Sequence, residues 1–230
     1  MRLLATLMIL ASLAPANDPA AAQRPADGPS RTLEAIRRDF PLDHQAIAAT
    51  LGGKAPEEAR RLAYAGIDRF LRSRSAAILA APGSALVSIE ARQAALLRAL
   101  GRQDLRLCAT VGDRGFFSSE ALAGAPPAGL DDYGVALVEA AKAGSGAVGA
   151  APLATKEDFS AWLAAVAKIE PDVPVRDMLF DKDLRSAASA DHLCRGAAAM
   201  HEAVAVVPAA SRERLARTLL RSVIAPAATP

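Results

Sequence analysis

Apolar residues return along most of this chain every three or four positions, which is the spacing of one face of an α-helix. Leu33, Ile36 and Phe40 predict a first short helix that Pro41 ends. No stretch shows the sustained two-residue alternation of a half-buried strand. The pattern therefore predicts an all-α fold.

The later apolar stripes are separated by Pro and Gly residues, which are typical of helix ends. They predict helices over about 42–51, 56–78, 86–100, 105–111, 130–141, 156–166, 181–207 and 208–223. Residues Thr155 to Asp158 resemble a capping box at one of these starts. We expect a single domain over residues 31–226, with about seven to nine helices in antiparallel pairs that form a bundle-like or orthogonal array.

The first residues have the three parts of a secretory signal peptide. Arg2 precedes an apolar run from Leu3 to Leu13, and Ala14-Pro15-Ala16 then supplies small residues for cleavage. The run is about half of the roughly 20 residues that a membrane-spanning helix needs. We expect a signal peptide at 1–16, with cleavage as late as residue 22, then a disordered tether at 17–30 and a periplasmic or secreted protein.

The charge balance argues against a nucleic-acid partner. The chain has 27 basic and 25 acidic residues, a net charge of +2, and loss of residues 1–16 would remove one base, Arg2, and no acid. Domains that bind nucleic acid usually carry a large basic excess. No later segment is long and apolar enough to span a membrane. We therefore expect neither a nucleic-acid partner nor a transmembrane segment in the mature chain.

Cys108 and Cys194 are the only two cysteines. An even number in an oxidising compartment favours one disulfide over two free thiols. The chain-entropy model assigns such a loop of 86 residues about 4.5 kcal/mol of stabilisation. The alternative is a pair of unrelated buried thiols.

Arg74 is a candidate ligand contact because it falls within the apolar stripe of Ala63, Ile67, Phe70 and Ile78. A charge that faces a core needs an acidic partner or a bound anion. The alternative is that Arg74 lies near the helix end and reaches water with its long side chain.

Two further sets are candidate partner contacts. Arg214, Arg217 and Arg221 repeat at i, i+3 and i+7, which predicts a basic helix face that suits an acidic partner or anionic lipid. An ordinary solvated face has the same pattern. Phe116 and Phe117 lie in a Gly- and Pro-rich segment, where they form either an exposed contact or a satellite of the core.

Two patterns suggest chemistry that their context does not support. Residues 144–149 have the letters of a dinucleotide-binding loop, but they follow a helical stripe and not a strand. Helical geometry places His192 and His201 on opposite faces, whereas zinc needs three or four convergent ligands. We expect residues 144–149 to form a flexible loop. Around His192 and His201 we expect an Asp191–Arg195 surface pair beside an interfacial histidine. We expect no metal or cofactor.

The sequence alone therefore favours an exported, non-catalytic helical module that binds an envelope protein or a small ligand. One alternative is an enzyme whose acids and arginines are dispersed along the chain. Another is a structural component of the cell envelope.

Overall fold

A computed structural model describes residues 29–115, 128–147 and 151–224. The predicted signal peptide and nearly all of the predicted tether, together with Phe116, Phe117 and the last two residues of the glycine-rich pattern, lie outside these ranges. Within them the protein is all-helical and contains no strand, as the apolar spacing predicted. The helices gather around one hydrophobic core and form a single domain.

The helices of the first half are α1 Ser30–Asp39, α2 Pro41–Leu51, α3 Pro56–Ser73, α4 Ser75–Ala80, α5 Gly83–Gln103 and α6 Leu105–Arg114. Those of the second half are α7 Leu130–Ala143, α8 Lys156–Ile169, α9 Val173–Asp177, α10 Lys182–Ala187, α11 Ala190–Ala203 and α12 Ala209–Ile224. A 3-10 turn over Val204–Val206 joins the last two.

The described ranges hold twelve α-helices, more than the number expected, because two predicted helices are divided and the short helix α9 was not predicted. The predicted helix 56–78 breaks at Arg74, where the backbone has φ −102° and ψ 9°. Just before the break, the Ser73 hydroxyl donates to the Phe70 carbonyl oxygen at 2.7 Å, a bond that competes with regular helical hydrogen bonding. The predicted helix 181–207 breaks before Ser189, whose side chain caps a new helix start.

Helix α11 lies at the centre of the domain and packs against α5, α6, α8 and α9. It can do so because small residues cover much of its surface, and Ala197, Ala198 and Ala199 are all buried. A Cβ atom added to Gly112 of α6 would lie 2.7 Å from the Ala197 Cβ. Small side chains therefore allow α6 and α11 to approach each other closely.

Helix α1 is joined to α7 through an aspartate at the start of α7. The backbone amides of Arg31 and Thr32 donate to the two carboxylate oxygens of Asp131, at 2.9 and 2.7 Å. Free amides at a helix start need such acceptors, and α1 has no side-chain cap of its own. The predicted capping box of α8 is confirmed, with Thr155 and Asp158 bonded to each other's backbone amides.

In the part of the chain that the structure describes, none of the helices combines the length and apolar character required to cross a bilayer.

Candidate functional site: a cleft between α2 and α3

The two cysteines lie at disulfide-bonding distance. Cys108 of α6 and Cys194 of α11 have their sulfur atoms 2.00 Å and their Cα atoms 5.2 Å apart. The predicted pairing is therefore confirmed in its geometry. Gly101 of α5 lies directly against the pair, because a Cβ atom there would sit 2.8 Å from the Cys194 sulfur. Three helices thus meet at this point.

The predicted arginine face on α12 does not exist as one surface. Arg221 is exposed, but Arg217 is buried and donates to the carbonyl oxygens of Leu79 (2.7 Å), Ala81 (3.3 Å) and Pro152 (3.3 Å). The expectation of an open face was wrong at Arg217 because α4 and α8 cover α12 on two sides. The Arg217 guanidinium instead donates hydrogen bonds to carbonyl oxygens at the end of α4.

Arg214 forms an internal ion pair with Asp158 of α8. Both contacts, from its Nε to Oδ2 and from its Nη2 to Oδ1, measure 2.6 Å. Asp158 is buried, and Arg214, together with Ser211 and the Thr155 backbone, holds the pKa of this carboxyl well below its usual range. This pair joins α8 to α12, and Arg214 is already occupied by it.

The Asp158 pair should therefore contribute to stability in a pH-dependent way. A carboxyl whose pKa is lowered by folding stabilises the protein above its unfolded pKa, near 3.8, and that stability is lost as the pH falls further. We expect Asp158→Asn to lower the urea midpoint at pH 7, and the difference from the wild type to shrink steadily between about pH 5 and pH 2.

Asp68→Asn is the control, because Asp68 pairs with Arg72 on an open surface of α3. Surface pairs contribute little, so this variant should follow the wild type throughout the titration. A pH-independent difference between Asp158→Asn and the wild type would contradict the prediction.

Four polar side chains form a hydrogen-bonded chain inside the core. Glu90 and Gln93 come from α5, Tyr133 from α7 and His201 from α11, and all four are buried. The Tyr133 hydroxyl donates to Gln93 Oε1 at 3.0 Å, and Gln93 Nε2 lies 3.0 Å from His201 Nε2. His201 Nδ1 lies 2.5 Å from Glu90 Oε2. We call these four residues the core network.

The donor and the acceptor of each hydrogen bond in the core network can be assigned from its two terminal residues, Glu90 and Tyr133. A carboxylate only accepts hydrogen bonds, so His201 donates from Nδ1 to Glu90 and accepts at Nε2 from the Gln93 amide. Burial and the negative charge of Glu90 both raise the pKa of Tyr133, which keeps its hydroxyl protonated. Both nitrogens of the His201 ring are thus occupied, and this histidine is not open to a substrate.

Arg74 has an acidic partner, and it also matches the alternative expectation, because it lies at the end of α3 with its side chain partly exposed. Its Nη2 donates to Asp43 Oδ2 of α2 at 2.6 Å, and its guanidinium lies 5.0 Å from the centre of the Phe40 ring. The Phe40 ring in turn packs edge-on against Phe70, with centroids 5.0 Å apart. Nε of Arg74 is buried without a partner. The break between α3 and α4 thus places a guanidinium beside the start of α2.

A cleft of about 310 Å³ opens next to this pair, between α2 and α3. Its lining combines apolar and polar side chains, namely Asp43, Ala46, Ile47, Gly66, Arg69, Phe70 and Ser73. Gly66 is needed for the close approach of the two helices, since a Cβ atom there would lie 2.9 Å from the Ile47 side chain. Arg69 is exposed and forms no ion pair or hydrogen bond with any residue that the structure describes.

Comparisons with protein-family models, curated proteins and solved structures found no match for this chain.

A second cleft, of about 170 Å³, lies beside Cys194 and is lined by several arginines. Two of its three arginines are neutralised, because Arg98 pairs with Glu202 and Arg195 pairs with Glu170, whereas Arg102 forms no ion pair with any residue that the structure describes. The predicted Asp191–Arg195 contact is also present, at 3.2 Å. This cleft thus offers much less free positive charge than its lining suggests.

The other sequence patterns have structural explanations where they are described. Gly144 follows α7 and packs against α4, since a Cβ atom there would lie 1.9 Å from the Ala77 carbonyl oxygen. This contact accounts for one glycine of the dinucleotide-like pattern, whose last residues fall outside the described ranges. Within those ranges, no group of three or more His, Cys, Asp or Glu side chains is placed to hold a metal ion.

Sequence reasoning missed Glu90 and Gln93, although a signal was present. Leu86, Glu90, Gln93 and Leu97 share one face of α5, at i, i+4, i+7 and i+11. Two polar residues at core positions predict a buried partner, by the same argument that identified Arg74.

Proposed function

We propose that this protein is an exported, non-catalytic binding protein that holds a small organic carboxylate in the cleft between α2 and α3. The observation that carries the proposal is the side chain of Arg69, which pairs with no residue that the structure describes and lies beside the apolar lining of the cleft of about 310 Å³. Export is supported by the N-terminal sequence and by the cysteine pair.

The charges around the cleft favour an anion. Arg69 and Arg74 supply two positive charges, and Asp43 supplies one negative charge that already contacts Arg74. One excess cation is left for a ligand. A guanidinium presents a planar set of donors that matches a carboxylate in two parallel hydrogen bonds.

The rest of the cleft favours a short apolar group on the same ligand. Ala46, Ile47 and Phe70 provide aliphatic and aromatic surface next to Arg69. The volume lies at the lower end of the roughly 300–1,000 Å³ of small-molecule sites, so a ligand of a few carbon atoms suits it. A carboxylate at one end and a short hydrocarbon at the other would match both parts of the lining.

The described groups support binding more than catalysis. The hydroxyl of Ser73, which lines the cleft, donates to the Phe70 carbonyl oxygen. His201, a residue type suited to acid–base chemistry at neutral pH, lies in the closed core network.

The test is calorimetric titration of the purified protein with hexanoate and with benzoate, and with hexylamine as the cationic counterpart. We expect both carboxylates to bind with a Kd of about 1 mM or lower, equivalent to about 4 kcal/mol, and hexylamine not to bind. Added salt should weaken the binding, because the charges of an open cleft are screened.

Two pairs of variants locate the site. Arg69→Ala should weaken carboxylate binding at least about tenfold, a loss of about 1.4 kcal/mol. Arg61→Ala, an exposed change of the same charge on the same helix, should leave the binding unchanged. Ala46→Phe should fill the cleft, whereas Ala48→Phe, outside it on the same helix, should have no effect. Equal binding by all four variants would refute the proposed site.

A further inference from the structure

The segment around α10 exposes large apolar side chains beyond the α2–α3 cleft. Phe180 is 61% exposed and Leu184, four residues further on, is 49% exposed. Helix α10 buries none of its residues. One edge of this surface is fixed to the core, because the Phe180 ring packs edge-on against the buried Trp162, with centroids 6.4 Å apart. We call residues 176–185 the α10 surface.

The α10 surface carries charges of both signs in equal number. Its acids are Asp177, Asp181 and Asp183, and its bases are Arg176, Lys182 and Arg185. None of the six forms an ion pair with any residue that the structure describes.

Several other charges of the domain are paired internally. Arg214 with Asp158 and Arg195 with Glu170 are two such pairs. Within the α10 surface, Arg185 is held by backbone carbonyls, donating to Met178 and Leu179 at 3.4 and 2.6 Å. Its position is therefore fixed while its charge has no acidic partner.

We propose that the α10 surface binds the α10 surface of a second copy of this chain in a two-fold symmetric dimer. Such an interface places the same patch on both sides, so the patch must be complementary to itself. Equal numbers of acids and bases allow such complementarity, whereas a patch of one sign would repel its own copy. Phe180 and Leu184 of the two copies would cover each other, and the charges around them would pair across the interface.

The first test is sedimentation velocity of the purified full-length exported protein from about 1 to 100 μM, the weaker end of the affinities of specific interfaces. We expect a dimer to form over this range. Phe180→Asp combined with Leu184→Asp should leave a monomer throughout, because four new charges would face one another at the interface. Both positions are exposed, so the circular dichroism spectrum and melting temperature should stay close to those of the wild type.

Leu42→Asp is the matched control. Leu42 is 78% exposed on α2, outside the α10 surface, and its replacement should leave the dimer intact. A wild-type protein that stays monomeric at 100 μM would overturn the proposal. So would a dimer that survives the double variant or that Leu42→Asp abolishes.

A charge exchange tests the pairing itself. Lys182→Glu alone and Asp183→Lys alone each unbalance the α10 surface, so each variant should dimerise at least about tenfold more weakly than the wild type, about 1.4 kcal/mol. An equimolar mixture of the two should recover a heterodimer, because the excess acid of one faces the excess base of the other. Failure of the mixture to associate more strongly than either variant would contradict self-complementary pairing.

Discussion

Replacement of His201 by alanine is expected to lower the free energy of unfolding by about 3 kcal/mol or more, because a buried polar group left without its partner costs about 1–3 kcal/mol and a charged one costs more. The change would leave the Glu90 carboxylate and the Gln93 amide in the core without their present partner. One oxygen of Glu90, Oε1, already lacks a hydrogen-bond partner, so few alternatives are available to this side chain. Urea unfolding followed by circular dichroism measures the effect.

The neighbouring residue Glu202 provides the control. It pairs with Arg98, and the two side chains are 45% and 37% exposed, so Glu202→Ala should cost no more than about 1 kcal/mol. The double variant Glu90→Leu with His201→Leu should lose less stability than the sum of the losses in the two single variants. The reason is that neither ionisable side chain is then left without its partner. A cost for His201→Ala equal to that of Glu202→Ala would contradict the assignment of the core network.

Reduction of the Cys108–Cys194 pair is expected to lower the melting temperature by roughly 10–18 °C. The closed loop has a sequence separation of 86 residues, and its release returns about 4.5 kcal/mol of chain entropy to the unfolded state. For a chain of this size each kcal/mol corresponds to roughly 2–4 °C. Differential scanning calorimetry with and without a phosphine reductant measures the shift.

A variant with alanine at both cysteine positions separates this effect from other actions of the reductant. It should melt at the lower temperature in both conditions. Thiol titration of the unfolded, unreduced wild type should find no free thiol. Two free thiols per chain, or equal melting temperatures with and without reductant, would show that the two sulfur atoms are not bonded.

The fold class could be predicted because the apolar spacing is a local property of the sequence. Helix ends with strong signals were also predicted, including Pro41 after α1 and the Thr155 capping box before α8. The breaks at Arg74 and before Ser189 were not, because the apolar stripe continues through both. At such places side-chain hydrogen bonds and tertiary packing outweigh the periodic pattern.

Candidate site residues could be predicted only where the polarity of a residue conflicts with the apolar pattern of the sequence around it. Arg74 stood out as a charge in an apolar stripe, and it has the acidic partner that this position demanded. Arg217 was assigned to a solvated face because a helical wheel shows one helix alone, whereas α12 is covered on two sides. Arg69 and its cleft had no sequence signal, since an unpaired arginine on an amphipathic helix is ordinary.

The core network also affects how many packed states this sequence can adopt. Alanines on neighbouring helices are nearly interchangeable contacts, so an alanine-rich interior, like that around Ala197 to Ala199, fits in several registers at similar energy. A shift of α11 by one turn, about 5.4 Å, would keep many of those contacts but would move His201 away from both Glu90 and Gln93. Buried polar groups can specify one alignment in this way. We therefore expect the four polar residues to favour the observed arrangement of α5, α7 and α11 over arrangements shifted along the helix axes.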